Sequence, residues 1–225
     1  MDRIDVLQSL LNQRPKATYL EIGVKKGECL LKLRAPRKIA IDPAFRIKKL
    51  RRAWSYLVNP SNFANEYFEI TSDAFFAEHA DALRGGIDVA FVDGLHTHEQ
   101  AYRDVCHALE HLKENGVIVM HDCNPASAAA AQFAYSWEEA ASHKHPEWNG
   151  AWNGDVFKAL LQLRAEHRDL NVSVLDCDHG LGIVRRGAPE GTLDLSADQI
   201  ASMTYEEFAP RRIELLNLKP ATIAS

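Results

Sequence analysis

Five short, almost uninterrupted apolar runs set the strongest limit on how this chain can fold. They are "TYLEIG" (18–23), "KIAID" (38–42), "EYFEIT" (66–71), "IDVAFVD" (87–93) and "GVIVMHD" (116–122). Longer segments with helical spacing separate them, including 48–57, 73–84 and 98–114. A strand that is apolar on both sides must be covered on both sides, which predicts a parallel sheet between two helical layers. Two further runs, "NVSVLD" (171–176) and "LGIVRR" (181–186), are joined by only "CDHG". That link is too short for a crossover, so this pair is antiparallel. The expected fold class is α/β, a doubly wound, mostly parallel sheet with an antiparallel last strand.

The length of 225 residues suits one domain, placed at 1–186, with a tail over 187–225. The tail holds two capping-box matches, Ser196 with Gln199 and Thr204 with Glu207. It is expected to form helices that pack on the domain or on a second copy, which would make a homodimer. Residues 125–152 break the strand–helix rhythm and carry Trp137, Trp148, Trp152, His143 and His145. An insertion of that length in a compact domain reads as a lid. A net charge of −5 argues against nucleic-acid and anionic-membrane partners, and the basic run "RIKKLRR" (46–52) reads as a solvated helix face. No apolar run approaches the roughly 20 residues that span a bilayer. The N-terminal stretch lacks signal-peptide features. Cys29, Cys106, Cys123 and Cys177 are scattered without CxxC spacing, so reduced thiols and a cytoplasmic location are expected.

"YLEIGVKKG" (19–27) ends the first strand on a carboxylate, Glu21, and then places Gly23 and Gly27 four residues apart. Glycines there let the backbone turn sharply and approach a ligand. A dinucleotide site would carry G-x-G-x-x-G, with pyrophosphate on the helix N-terminus. Here the pattern is Glu-x-Gly-x-x-x-Gly, and an anion in front of the loop disfavours phosphate. Asp42, nineteen residues past Gly23, ends the second strand and is placed to accept from both hydroxyls of a ribose. A ribose with a positive end and no pyrophosphate describes S-adenosylmethionine. The competing reading makes Glu21 and Asp42 caps of the helices that follow.

With these motifs the chain resembles the class I S-adenosylmethionine-dependent methyltransferases over about residues 17–186. "YLEIGVKKG" looks like their first motif, "IAID" like their second and "TSDAFF" (71–76) like their third. The resemblance implies the Rossmann-like methyltransferase fold, a seven-stranded sheet with its last strand antiparallel. It places Asp73 and its neighbours, Ser72 among them, near adenine; orienting the donor is a role for Asp93 that competes with metal binding. The stretch 88–125, together with "WNGDVFKALLQLR" (152–164), is similar to a subgroup of small-molecule and sugar O-methyltransferases.

Asp93 and Asp122 end the fourth and fifth strands, and a parallel sheet sends both toward one crevice. Hard oxygen ligands of this kind suit Mg²⁺ or another divalent cation. The catechol-type O-methyltransferases use an aspartate after strand four and an Asp-Asn pair after strand five. That resemblance implies Asp93, Asp122 and Asn124 as metal ligands, with Cys123 standing where the family has its asparagine. Zn²⁺ held by Cys123, His96 and His121 is a weaker alternative. His96 replaces the family's basic lysine three residues after the first aspartate. A histidine near its unperturbed pKa of about 6.5 is a competent general base, so His96 and Asp93 are the expected catalytic pair. Tyr135, Trp137, Trp148 and Trp152 would flank the acceptor, and Asp155 would cap the next helix. The expected reaction is methyl transfer to a hydroxyl of a small molecule. Its alternatives are metal-independent transfer to nitrogen or carbon, and nucleoside binding without transfer.

Overall fold

The structure, a computed structural model, describes residues 1–221, so residues 222–225 of the expected tail lie outside it. The chain opens with α1 (Arg3–Asn12), where Asp2 and Asp5 form a reciprocal capping box and Val6, Leu7, Leu10 and Leu11 turn inward. It continues through β1 (Thr18–Ile22), β2 (Arg37–Ile41), α2 (Lys49–Val58), β3 (Asn65–Phe68), α3 (Ser72–Glu78), β4 (Ile87–Val92), α4 (His98–Glu110) and β5 (Leu112–Met120). Then come α5 (Trp137–Ser142), α6 (Val156–Glu166), β6 (Leu170–Leu175), β7 (Leu181–Arg186), α7 (Ala197–Ser202), α8 (Tyr205–Phe208) and β8 (Leu218–Lys219).

The strands form one mixed sheet in the order β3-β2-β1-β4-β5-β7-β6-β8. β1 lies parallel to β2 and β4, β2 is parallel to β3, and β6 is antiparallel to β7. The doubly wound reading therefore holds. Among the described residues the sheet has eight strands, not seven, because β8 adds to the edge alongside β6. A two-residue strand has no periodicity to read, which is why the sequence does not reveal it. Every residue of β1 is buried, as expected for a central parallel strand covered on both faces. The order reverses between β1 and β4, and the ends of these two strands make the switch point where such sheets bind ligands.

The described residues group into two compact units, 1–94 with 104–119 and 95–103 with 120 onward. Leu7, Leu20, Ile39, Phe75 and Phe91 lie in the core of the first. Phe157, Leu160, Val174, Val184 and Phe208 lie in that of the second. Both predicted capping boxes of the tail are present, at the starts of α7 and α8. In the second unit Phe208 packs on Phe157 of α6 with ring centroids 4.4 Å apart, and the Arg164 guanidinium donates to the carbonyls of Glu214 and Leu215. Among the described residues no helix is long and apolar enough to cross a membrane.

Candidate active site

In the first unit β1 runs straight into Gly23, whose φ is +89°. A Cβ there would stand 1.9 Å from the Asp93 carbonyl oxygen, so both the close approach and the left-handed backbone demand glycine. Gly27 also has positive φ, at +68°. Asp42 binds the same loop: its two carboxylate oxygens accept from the N–H groups of Lys25 and Ala44, each at 2.7 Å. Neither Asp42 nor Glu21 caps a helix, because 25–32 is a run of turns and α2 begins only at Lys49. Asp93 follows β4 directly and pairs with Arg3 of α1 at 3.1 Å. Thr71 caps α3 through the Ala74 N–H, which leaves Ser72 buried and Asp73 in the first helical turn.

Glu21 departs from the expectation in its charge. Its side chain is 2% exposed and accepts from the Tyr19 hydroxyl at 2.7 Å. Burial, with the nearby Asp93 charge adding to it against the Tyr19 hydrogen bond, pushes its carboxyl up to about 8. At neutral pH the group mostly keeps its proton, so it organises the loop from beneath and does not repel phosphate as an anion.

The loop also rests on a residue that the sequence gives no reason to single out. Lys38 of β2 is fully buried, and its ammonium donates to the carbonyls of Leu30 and Leu33, each at 2.8 Å, and to Asn62. Asn59 and Asn62 donate to the Leu31 carbonyl. An irregular segment leaves carbonyls without helical partners, and three buried side chains satisfy them. Burial lowers the Lys38 ammonium to about 8.

In the second unit Asp122 takes the left-handed conformation, with φ +63°. Non-glycine residues held there carry strain and cluster at functional sites. Its Oδ2 accepts from His121 Nδ1 at 2.7 Å and lies 3.4 Å from His96 Nδ1, while its Oδ1 accepts from the Asn153 amide at 2.8 Å. Asn153 is 1% exposed, and its own Oδ1 has no hydrogen-bond partner among the described residues. His96 stacks on Trp152, ring centroids 4.9 Å apart and planes 15° from parallel. Its backbone is fixed at Gly154, where a Cβ would fall 1.8 Å from the His96 carbonyl oxygen. Asp155 caps α4 instead of its own helix: Oδ1 accepts from the His98 N–H at 2.7 Å, and α6 receives no side-chain cap from it.

The "CDHG" link is the expected tight turn, with Asp178 and His179 both at positive φ. It lies against the segment after β5, because Cys123 and Asn124 donate their N–H groups to the carbonyls of Gly180 and His179. The Asn124 amide is turned to Asp176 at 3.2 Å. The structure thus brings His96 and His121 to Asp122, and turns Asn124 elsewhere. Carboxylate and imidazole together fit a borderline divalent cation better than Mg²⁺. Zn²⁺ on Cys123 does not fit: the thiol is fully buried, its Sγ faces the carbonyls of Met120 and His121, and burial raises its pKa far above the usual thiol range. In the insertion, Trp137 packs on Trp148 and donates to the Gly150 carbonyl, which folds the segment onto itself. Of its three tryptophans, Trp152 reaches His96. Asn153 and Lys38 are the residues sequence reasoning misses, and the contact of Trp152 with His96 is one it does not foresee.

Residues 20–123 match the model of a family described as a methyltransferase domain. No curated protein matches the chain. Among solved structures it is similar in fold to the O-methyltransferase of Bacillus cereus in complex with SAH, at 13% identity and TM-score 0.59, covering 82% of this chain and 80% of that one. It is likewise similar to the O-methyltransferase TomG of Streptomyces achromogenes, involved in tomaymycin synthesis and solved with SAM. There the identity is 13% and the TM-score 0.57, covering 83% of this chain and 80% of that one. The SAH-bound Podospora anserina methyltransferase PaMTH1 aligns at 19% identity and TM-score 0.55, over 80% of this chain and 76% of its own.

Proposed function

We propose, from the premise that this chain carries a methyltransferase domain, that it moves a methyl group from S-adenosylmethionine to a hydroxyl of a small molecule. His96 is the general base and Asp122 stands behind it. One observation carries the assignment of the base: the His96 ring stacks on Trp152 with Nδ1 3.4 Å from Asp122 Oδ2, so Nε2 is the nitrogen we assign to the acceptor. Carboxylate support at one nitrogen fixes the tautomer and strengthens the other as a base. The O-methyltransferases of the same fold solved with SAH and with SAM support the choice of donor.

For the donor, the glycine turn at Gly23 and Gly27 admits the ligand, and Glu21 and Lys38 hold the loop beneath it. Each Asp42 oxygen accepts one N–H and keeps a lone pair for a ribose hydroxyl. Ser72 and Asp73 stand at the start of α3 for adenine, and Asp93 orients the donor. For the acceptor, the buried Asn153 carbonyl oxygen is free to accept from a ligand hydroxyl. In the reaction the hydroxyl proton passes to His96 Nε2, the oxygen bonds the methyl carbon, and the carbon–sulfur bond breaks. The sulfonium leaves as neutral S-adenosylhomocysteine, and alignment supplies most of the acceleration.

A divalent cation, the alternative to His96 as the group that activates the acceptor, would be held by Asp122 and His96. When bound, such an ion supplies a lower pKa at the acceptor hydroxyl.

The test is release of S-adenosylhomocysteine from a panel of phenolic and sugar acceptors. His96→Ala is expected to lower the rate by about 10² to 10⁴ while donor binding survives. A near-wild-type rate removes His96 from the mechanism. Turnover undiminished in excess chelator removes the cation and leaves the histidine as the base.

A further inference from the structure

α2 turns its apolar side outward. Leu50, Trp54, Leu57 and Val58 fall at the i, i+4, i+7, i+8 spacing that gathers residues on one helix face. They are 86, 64, 75 and 51% exposed, and Phe63 in the turn that follows is 74% exposed. Within the helix Ser55 is the buried residue. A ten-residue helix with so little tertiary packing is marginal in water, so a stable α2 needs a surface against which to bury this stripe.

The charge around it says what kind of surface. From Pro43 to Asn65 the chain has Arg46, Lys48, Lys49, Arg51 and Arg52 and no acidic residue, although the whole protein carries −5. Arg46, Lys48, Lys49 and Arg52 are exposed. The Arg46 N–H donates to the Lys25 carbonyl at 2.7 Å, which brings the exposed Lys25 and Lys26 to the same rim. The basic run "RIKKLRR" is solvated as expected, and it edges an apolar stripe that is exposed as well.

We propose that this face docks on a lipid surface bearing anionic headgroups, with the Trp54–Leu57 stripe in the acyl boundary and the lysines and arginines among the phosphates. A stripe of Trp and Leu beside Lys and Arg is the pattern of helices that lie in the membrane interface. A second copy is the poorer occupant. A two-fold contact through this face would set five cations against the same five. The expectation of no membrane partner rested on net charge, which averages away a field that acts only within a Debye length of about 10 Å.

Sedimentation of the full chain with vesicles tests this, using phosphatidylcholine alone and phosphatidylcholine mixed with phosphatidylglycerol. Binding is expected to the mixed vesicles and not to the neutral ones. Lys48→Gln and Lys49→Gln should each weaken it about fivefold. The double variant Trp54→Ser, Leu57→Ser should weaken it tenfold or more. Both changed side chains are exposed, so unaltered circular dichroism separates lost docking from lost folding. Three results overturn the proposal: no sedimentation of the wild-type chain with either vesicle, equal binding to both, or self-association in solution that the Trp54→Ser, Leu57→Ser variant abolishes. The last would assign the face to a second copy.

Discussion

Asp42 and Glu21 look alike in the sequence, as carboxylates at strand ends, yet the structure puts them to different use. Asp42 keeps its charge-bearing oxygens on backbone N–H groups and has acceptor capacity left over. Replacing it by alanine is expected to weaken S-adenosylhomocysteine binding by roughly 1.5 to 3 kcal/mol, the range for hydrogen bonds to a charged group. Calorimetry that finds unchanged affinity would remove its ribose role. Glu21 is an acid whose folded pKa, pushed up to about 8 by burial, lies above the ordinary carboxyl value of 4.5. The folded state binds its proton more tightly, so the stability Glu21 confers is complete below the lower value and falls as pH rises toward the upper one. Between about pH 5 and 7 the native protein should lose roughly 2 to 3 kcal/mol through this group, at about 1.4 kcal/mol per unit. Glu21→Gln keeps the acceptor for Tyr19 and should flatten that part of the profile in urea titrations. A mutant profile parallel to wild type would mean that the carboxyl is not held neutral.

At the scale of elements, what the sequence discloses depends on how local the cause is. Gly23, Gly27 and Asp42 form a pattern within 25 residues, and the "CDHG" turn declares itself in four, so both are legible. The clamp of Lys38, Asn59 and Asn62 under the loop is not. Nothing near Lys38 in the chain marks it as buried, and its partners are irregular carbonyls that exist only once the loop is folded. The contact of Trp152 with His96 and that of Asn153 with Asp122 are hidden for a similar reason, since they form only after segments more than 50 and 30 residues apart close on each other. Asp155 looks like the cap of its own helix and serves α4 instead, because short-range spacing cannot show a longer-range competitor. Gly154 is where this closure is fixed. Gly154→Ala would place a Cβ 1.8 Å from the His96 carbonyl and at φ +62°. It is expected to move His96 and lower kcat at least tenfold while leaving donor affinity within about twofold, as a misplaced base costs rate before it costs donor binding. Equal loss of both would mean that the substitution acts through general unfolding.

For the molecule as a whole, the strand–helix alternation is enough to announce a doubly wound sheet, because coverage of both faces leaves so few alternatives. The eighth strand and the outward apolar stripe of α2 escape that logic. One is too short to show a period, and the other has the period of an ordinary packed helix but the opposite orientation. The choice of ligand then rests on the loop after β1. With Glu21 largely neutral, that choice comes from the shape of a glycine turn that lacks the dinucleotide pattern, together with the Asp42 acceptor. The sharpest measurement is a pair of calorimetric titrations of the purified chain, one with S-adenosylhomocysteine and one with NAD. Saturable one-site binding of the first and no heat from the second is the expected result. Binding of NAD, or none of S-adenosylhomocysteine, would contradict it.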